Sequence, residues 1–188
     1  LHLSIRRQRQ MCIRDRSTLT AALSTRGWRL LSDEFGAYDP GRGVFRAILK
    51  PVALKNESIE VIGRFAPNAT FGPEFPKTRK GTVAHMAAEP DAVARRHETA
   101  RPGAVVLPKW QAGSPTRWEP LAEDSLFAAL AFNAFNYSVL GAVGFRAVVH
   151  LVRQCPAWQL VYSDLDDALA AIDAAWSEVR ERHEVEAA

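Results

Sequence analysis

Residues 126–145 run for 20 positions without a charged side chain. A stretch of that length must either cross a membrane or be buried against the rest of the chain. Polar and turn-forming residues decide between the two. Asn133, Asn136, Tyr137, Ser138, Gly141 and Gly144 interrupt the run, so it is expected to form a buried helix to about Tyr137. A glycine break follows, and then a second helix through Phe145–Val152. Phe132, Phe135 and Tyr137 are read as core. No membrane partner is expected.

The remaining pattern is that of one α/β domain of mixed sheet. At 188 residues, 47% of them hydrophobic and 24% charged, the chain can bury a substantial core. Cys12 and Cys155 cannot form a disulfide framework, which suits a reducing, cytoplasmic setting.

Local signals place the elements. Ser17 caps a short helix that Gly27 stops, with Leu19, Ala22 and Leu23 on one face. Trp28–Ser32 reads as a buried strand ending at Asp33 and Glu34. Asp39–Gly43 is a turn before a strand at Val44–Ala47. Asn56–Ile62 reads as one or two helical turns. Residues 63–81 are rich in Gly and Pro and read as a long surface loop. Strands are expected at Thr82–Met86, Ala104–Leu107 and Trp158–Tyr162, with a second loop over Pro108–Pro115. Asp164 caps a last helix, whose apolar residues Leu165, Leu169, Ile172, Trp176 and Val179 recur every three or four positions.

The net charge of +3 is unevenly placed. Residues 1–16 hold Arg6, Arg7, Arg9, Arg14 and Arg16 against Asp15, whereas the rest of the chain has 19 basic and 20 acidic residues. No nucleic-acid partner is expected for that body. The run Arg-Gln-Arg-Gln-Met-Cys-Ile-Arg-Asp in the head resembles a translated sequencing adapter. Residues 1–16 are therefore expected to be foreign, residues 17–182 to form the domain, and 183–188 a tail.

Ser17 and Thr18 open a helix, and the next apolar segment ends in paired carboxylates. That spacing suits phosphate chemistry: hydroxyls and N–H groups at the helix start, and an acid where a metal or an attacking hydroxyl would sit. Lys77, Arg79 and Lys80 flank the Gly-Pro-rich loop, and Lys109 lies in the second loop. All could reach phosphates. His85 reads as a core histidine. His85, His97 and Cys155 have no metal-ligand spacing.

The segment Ser17, Leu23, Arg26-Gly27, Arg29-Leu30, Asp33-Glu34 resembles the C-terminal catalytic domain of HPr kinase/phosphorylase, and more closely the HPr-kinase-related group called HprK-related kinase A. Leu54–Ile59, Lys80–His85, Leu107–Trp110 and Phe135–Tyr137 follow the group's later blocks in order. The resemblance implies a P-loop kinase core of the phosphoenolpyruvate-carboxykinase type, here lacking its first strand and Gly-rich loop. It implies ATP-dependent phosphorylation of a serine hydroxyl on a protein or peptide, with ATP and Mg²⁺ as cofactors. Asp33 and Glu34 would share the roles of base and metal ligand, and Ser17 would also hold the metal. Arg16, Ser17, Thr18, Lys77, Lys80 and Lys109 would contact the nucleotide.

The sequence departs from the group where the phosphate loop should be. Asp15 stands for the last Gly and Arg16 for the Lys, so weak ATP binding is expected of the chain as written. The alternative is a non-catalytic module that binds a peptide or partner. A homo-oligomer is left open.

Overall fold

The computed structural model describes residues 16–186, and side chains for residues 16–181. The chain is a mixed α/β protein. Among the described residues it has seven helices and three small sheets, rather than one mixed sheet. These divide into two compact units. None of the described helices is long and apolar enough to cross a membrane. The expectations for residues 1–15 lie outside the described residues.

Among the described residues, the first unit comprises 16–37 and 45–99. Its first helix, α1, covers residues 16–24. Leu19, Ala21 and Ala22 are buried on it. Ser24 and Thr25 turn their hydroxyls back onto the carbonyls of Ala21 and Ala22. Gly27, at φ +93°, ends the helix as expected, with the Trp28 N–H closing on Leu23 O at 3.2 Å. Ser17 is already helical, so it does not cap α1.

Trp28–Ser32 is not a strand. It is half-buried, with Leu30 enclosed, but it forms no ladder. Its polar groups go elsewhere: Leu31 O accepts the Ile48 N–H, and Ser32 Oγ accepts the N–H groups of Glu34 and Phe35. An apolar run becomes a strand only where a neighbour pairs with it.

A hairpin follows, β1 (Ala37–Asp39) with β2 (Val44–Arg46). Asp39 Oδ1 accepts the N–H groups of Gly41 and Arg42, and its carbonyl accepts that of Gly43. This is the expected turn, built as an Asx turn.

β3 (Val52–Lys55), β4 (Phe75–Thr78) and β5 (Gly81–Met86) form an antiparallel sheet in the order β3-β5-β4. Side chains alternate as a half-buried strand requires. Val52, Leu54, Ala84 and Met86 are buried, and His85 points to solvent. His85 is therefore not the core histidine that its apolar neighbours suggested. Helix α2 (Glu57–Phe65) covers the expected helical turns and extends beyond them, burying Ile62. The expected loop 63–81 contains β4, and a short helix α3 (Pro90–Ala94) lies after β5.

Arg29 ties this unit together. Its guanidinium donates to the carbonyls of Arg95 (3.1 Å), Glu98 (3.3 Å) and Thr99 (3.4 Å), and lies 3.7 Å from the Glu98 carboxylate. A planar fork holds five donors in a fixed, spread-out geometry, whereas an ammonium has three clustered on one nitrogen.

In the second unit, β6 (Val105–Trp110) runs parallel to β8 (Ala157–Tyr162), and β7 (Arg117–Pro120) pairs antiparallel on the other side of β8. Pro108 sits in β6, which is an edge strand and so tolerates the missing N–H. Lys109 and Trp110 belong to β6, not to the loop where the sequence placed them.

The parallel pair requires a long crossover. Helices α4 (Glu123–Asn133), α5 (Tyr137–Leu140) and α6 (Ala142–Gln154) supply it. The break falls at Gly141, φ +51°, as expected. The burial does not. Leu126 is enclosed, but Phe132 is 67% exposed and Phe135 79%, and Tyr137 is only half-buried. Apolar residues surround α4 on every side, so no single packed face can hide them all.

Helix α7 (Leu165–Glu186) closes the chain and extends into the expected tail. Asp164 Oδ1 accepts the Asp167 N–H, as a cap should. Leu165, Leu169, Ile172 and Val179 are buried, and Trp176 is half-buried. Gly103 lets the Trp176 ring approach, since a Cβ there would stand 2.5 Å from ring Cζ3.

Candidate functional site

The paired acids open onto a cleft of about 220 Å³ in the first unit. Its walls are residues 31–36 on one side and Phe45 and Arg46 of β2 on the other. The local cause is the turn at Ser32, whose hydroxyl gathers two successive N–H groups and bends the chain directly after the acids' own segment begins.

Asp33 and Glu34 differ. Asp33 is half-buried, and its Oδ2 accepts the Ala53 N–H at 3.2 Å. Its Oδ1 is shielded from solvent and meets no hydrogen-bond donor among the described residues. A carboxylate oxygen in that state is costly unless a cation, a water or a donor from a ligand completes it. Glu34 is exposed at the rim.

Phe35 and Gly36 complete one wall. Phe35 is 39% exposed, with Lys50 Nζ 6.0 Å from its ring centre. Gly36 faces the Phe45 ring so closely that a Cβ would lie 2.9 Å from ring Cε1. Neither these residues nor Phe45, Arg46 and Ala53 are singled out by the sequence. The glycine two positions after the acids is the only local hint of a close approach.

The other expected site residues do not line this cleft. Arg16, Ser17 and Thr18 lie in the first turn of the described part of α1. Lys77 and Lys80 lie on the β4–β5 hairpin, all exposed. Lys109 belongs to the second unit. The glycine-loop position at Asp15 lies outside the described residues.

The donor set bears on the implied cofactors. No group of three or more His, Cys, Asp or Glu side chains that could hold a metal forms among the described residues. Two adjacent carboxylates, one with an unpartnered oxygen, still fit Mg²⁺. That ion keeps most of its waters and takes one or two carboxylates together with substrate phosphates.

In the second unit, Cys155 is buried, and the ring centre of Tyr38 lies 6.3 Å from that of the exposed His150. Burial raises the Cys155 thiol above its ordinary value. Burial, with the charges of Cys155 and Asp39, raises Tyr38. A thiol shifted upward is a poor nucleophile at neutral pH.

Compared with known proteins, the chain matches no family model, no curated protein and no solved structure.

Proposed function

We propose that the chain carries the phosphotransfer chemistry of an ATP-dependent kinase of the HPr-kinase type, with a P-loop kinase core. It would act in the cytoplasm, transferring a phosphoryl group to a serine hydroxyl on a protein or peptide. The observation that supports this is the Asp33 carboxylate. One oxygen is held by the Ala53 N–H, and the other is enclosed beside the cleft without a donor among the described residues.

In this reading Asp33, oriented by that bond, serves as the base for the incoming hydroxyl. Glu34 at the rim steadies Mg²⁺ through water, and Ser17 contributes its hydroxyl. Arg16, Ser17 and Thr18 of α1 are the candidates for ATP contact. Mg-ATP supplies the phosphoryl group and the charge neutralisation that such transfer requires.

Restoring Gly at position 15 and Lys at position 16 tests the reading. The Asp15→Gly/Arg16→Lys variant should bind Mg-ATP in calorimetry and label a serine peptide, and Asp33→Ala on that background should bind but not transfer. No Mg-ATP binding by the restored variant would overturn it.

The exposed Phe132, Phe135 and Val139 of the second unit favour one alternative, a non-catalytic module that captures a peptide or protein. It expects ATP-independent binding to a partner, unaffected by Asp33→Ala.

A further inference from the structure

The tip of the β4–β5 hairpin is cationic and lies apart from the cleft lining. Lys77, Arg79 and Lys80 fall within four residues, and all are exposed. None forms an ion pair with another described residue, whereas Arg29, Arg95 and Arg117 do.

The backbone beneath these charges is held in an unfavourable shape. Two non-glycine residues in the described chain have left-handed φ: Asn56 at 51° and Lys77 at 60°. Both belong to this hairpin's frame. Such conformations persist only where neighbours enforce them.

The enforcement is visible. Asn56 donates its N–H to Thr82 O at 2.9 Å, accepts the Thr82 N–H on Oδ1 at 3.0 Å, and donates Nδ2 to Lys80 O at 3.4 Å. Thr78 Oγ1 donates to Gly81 O at 2.6 Å and accepts the Lys80 N–H at 3.1 Å. Gly81, at φ +88°, leaves room for the Asn56 amide that any Cβ would strike. Asn56 is thereby drawn away from capping α2, and makes no side-chain cap bond there.

Edge protection explains part of this. β4 is an edge strand, and Pro76, Lys77 and the register shift between Phe75 and Thr78 blunt it against pairing. Arg79 and Lys80 lie in the turn beyond the ladder, where there is no edge to protect. A charge that merely repels needs no clamped position either. Clamping is useful where charges must meet a partner already arranged.

We propose that this tip is a docking site for an acidic segment of a polypeptide partner. Lys77, Arg79 and Lys80 meet its carboxylates, and Phe75, 51% exposed on the same strand, takes an apolar side chain beside them. The inference stands apart from the phosphotransfer reading. Nucleic acid fits less well. Duplex binding recruits many phosphate contacts over a broad basic surface, and outside residues 1–16 the chain has 19 basic against 20 acidic residues.

The test is fluorescence anisotropy of the full chain with a labelled peptide carrying a run of glutamates next to a leucine. Lys77→Gln/Arg79→Gln/Lys80→Gln should weaken binding about tenfold or more, while Arg64→Gln/Arg101→Gln/Arg153→Gln, with the same charge loss, should stay within about twofold. Arg79→Gln/Lys80→Gln, outside the strand, should act in the same direction, with circular dichroism establishing that each variant is folded. Asn56→Gly, which keeps the charges but drops both side-chain bonds, should also weaken binding. Equal losses in the two triple variants, or no loss at the tip, would overturn the proposal. So would a short DNA duplex that displaces the peptide at lower concentration than unlabelled peptide does.

Discussion

The Ala53 N–H donates to Asp33 Oδ2 at 3.2 Å, and the other oxygen of the same carboxylate, Oδ1, is left enclosed without a donor among the described residues. Stability and function then pull in opposite directions at one side chain. Asp33→Asn removes an uncompensated charge while an amide oxygen can still receive the Ala53 N–H. Its thermal midpoint is expected to equal or exceed that of the parent. Asp33→Ala strands that N–H and should cost about 1–2 kcal/mol. If Asn and Ala lower the midpoint equally, the unpartnered oxygen is not the source of the cost. In the restored phosphate-loop variant, Asp33→Asn should reduce serine transfer by about 10²–10⁴-fold.

Arg29, whose side chain is 16% exposed, serves three carbonyls of residues 95–99 from one guanidinium. Arg29→Lys keeps the charge and loses the fork. Urea unfolding should show a loss of about 1–2 kcal/mol, and Arg29→Ala a larger one. A lysine variant as stable as the parent would mean that charge alone matters here.

Two glycines are needed for different reasons. Gly81→Ala forces a side chain into left-handed backbone and against the Asn56 amide. Gly103→Ala pushes on the Trp176 ring. Each is expected to destabilise by about 1–3 kcal/mol. Tryptophan fluorescence should shift in the Gly103 variant, where Trp176 must move. An unchanged spectrum would place Trp176 elsewhere.

Alkaline pH should weaken the fold. Cys155 and Tyr38 are neutral when protonated, and folding raises both above their ordinary 9.0 and 10.0. The unfolded chain therefore releases these protons first. Their contribution is fully present below the unfolded values and is lost as pH rises through the folded ones. Denaturant midpoints should fall above about pH 9. In Cys155→Ala the fall should be shallower, and the native Cys155 should react slowly with a thiol reagent until denaturant is added.

Phe135 is 79% exposed. Phe135→Ser should change the unfolding free energy by less than about 0.5 kcal/mol. A larger loss in chemical denaturation would show that the ring is packed.

Helix α7 was legible from its residues alone, because both of its causes are local. Asp164 sits where the cap must be, and the stripe from Leu165 to Val179 repeats at the helical period. The same holds for the stop at Gly27, the turn at Asp39–Gly43 and the break at Gly141, each set by backbone preferences within a few positions. The acids at Asp33 and Glu34 were also visible as a pair. What separates their roles was not, because the Ala53 N–H reaches Asp33 from twenty positions along the chain. Trp28–Ser32 had a strand's composition and found no partner, while β4 had a loop's composition and found one in β5. Phe132 and Phe135 were apolar enough for a core and remained outside it. A helix completes its hydrogen bonds within its own segment, so its sequence suffices to specify it. Strands, buried faces and the environment of a carboxylate are completed by residues far away in sequence, and only the tertiary structure decided those.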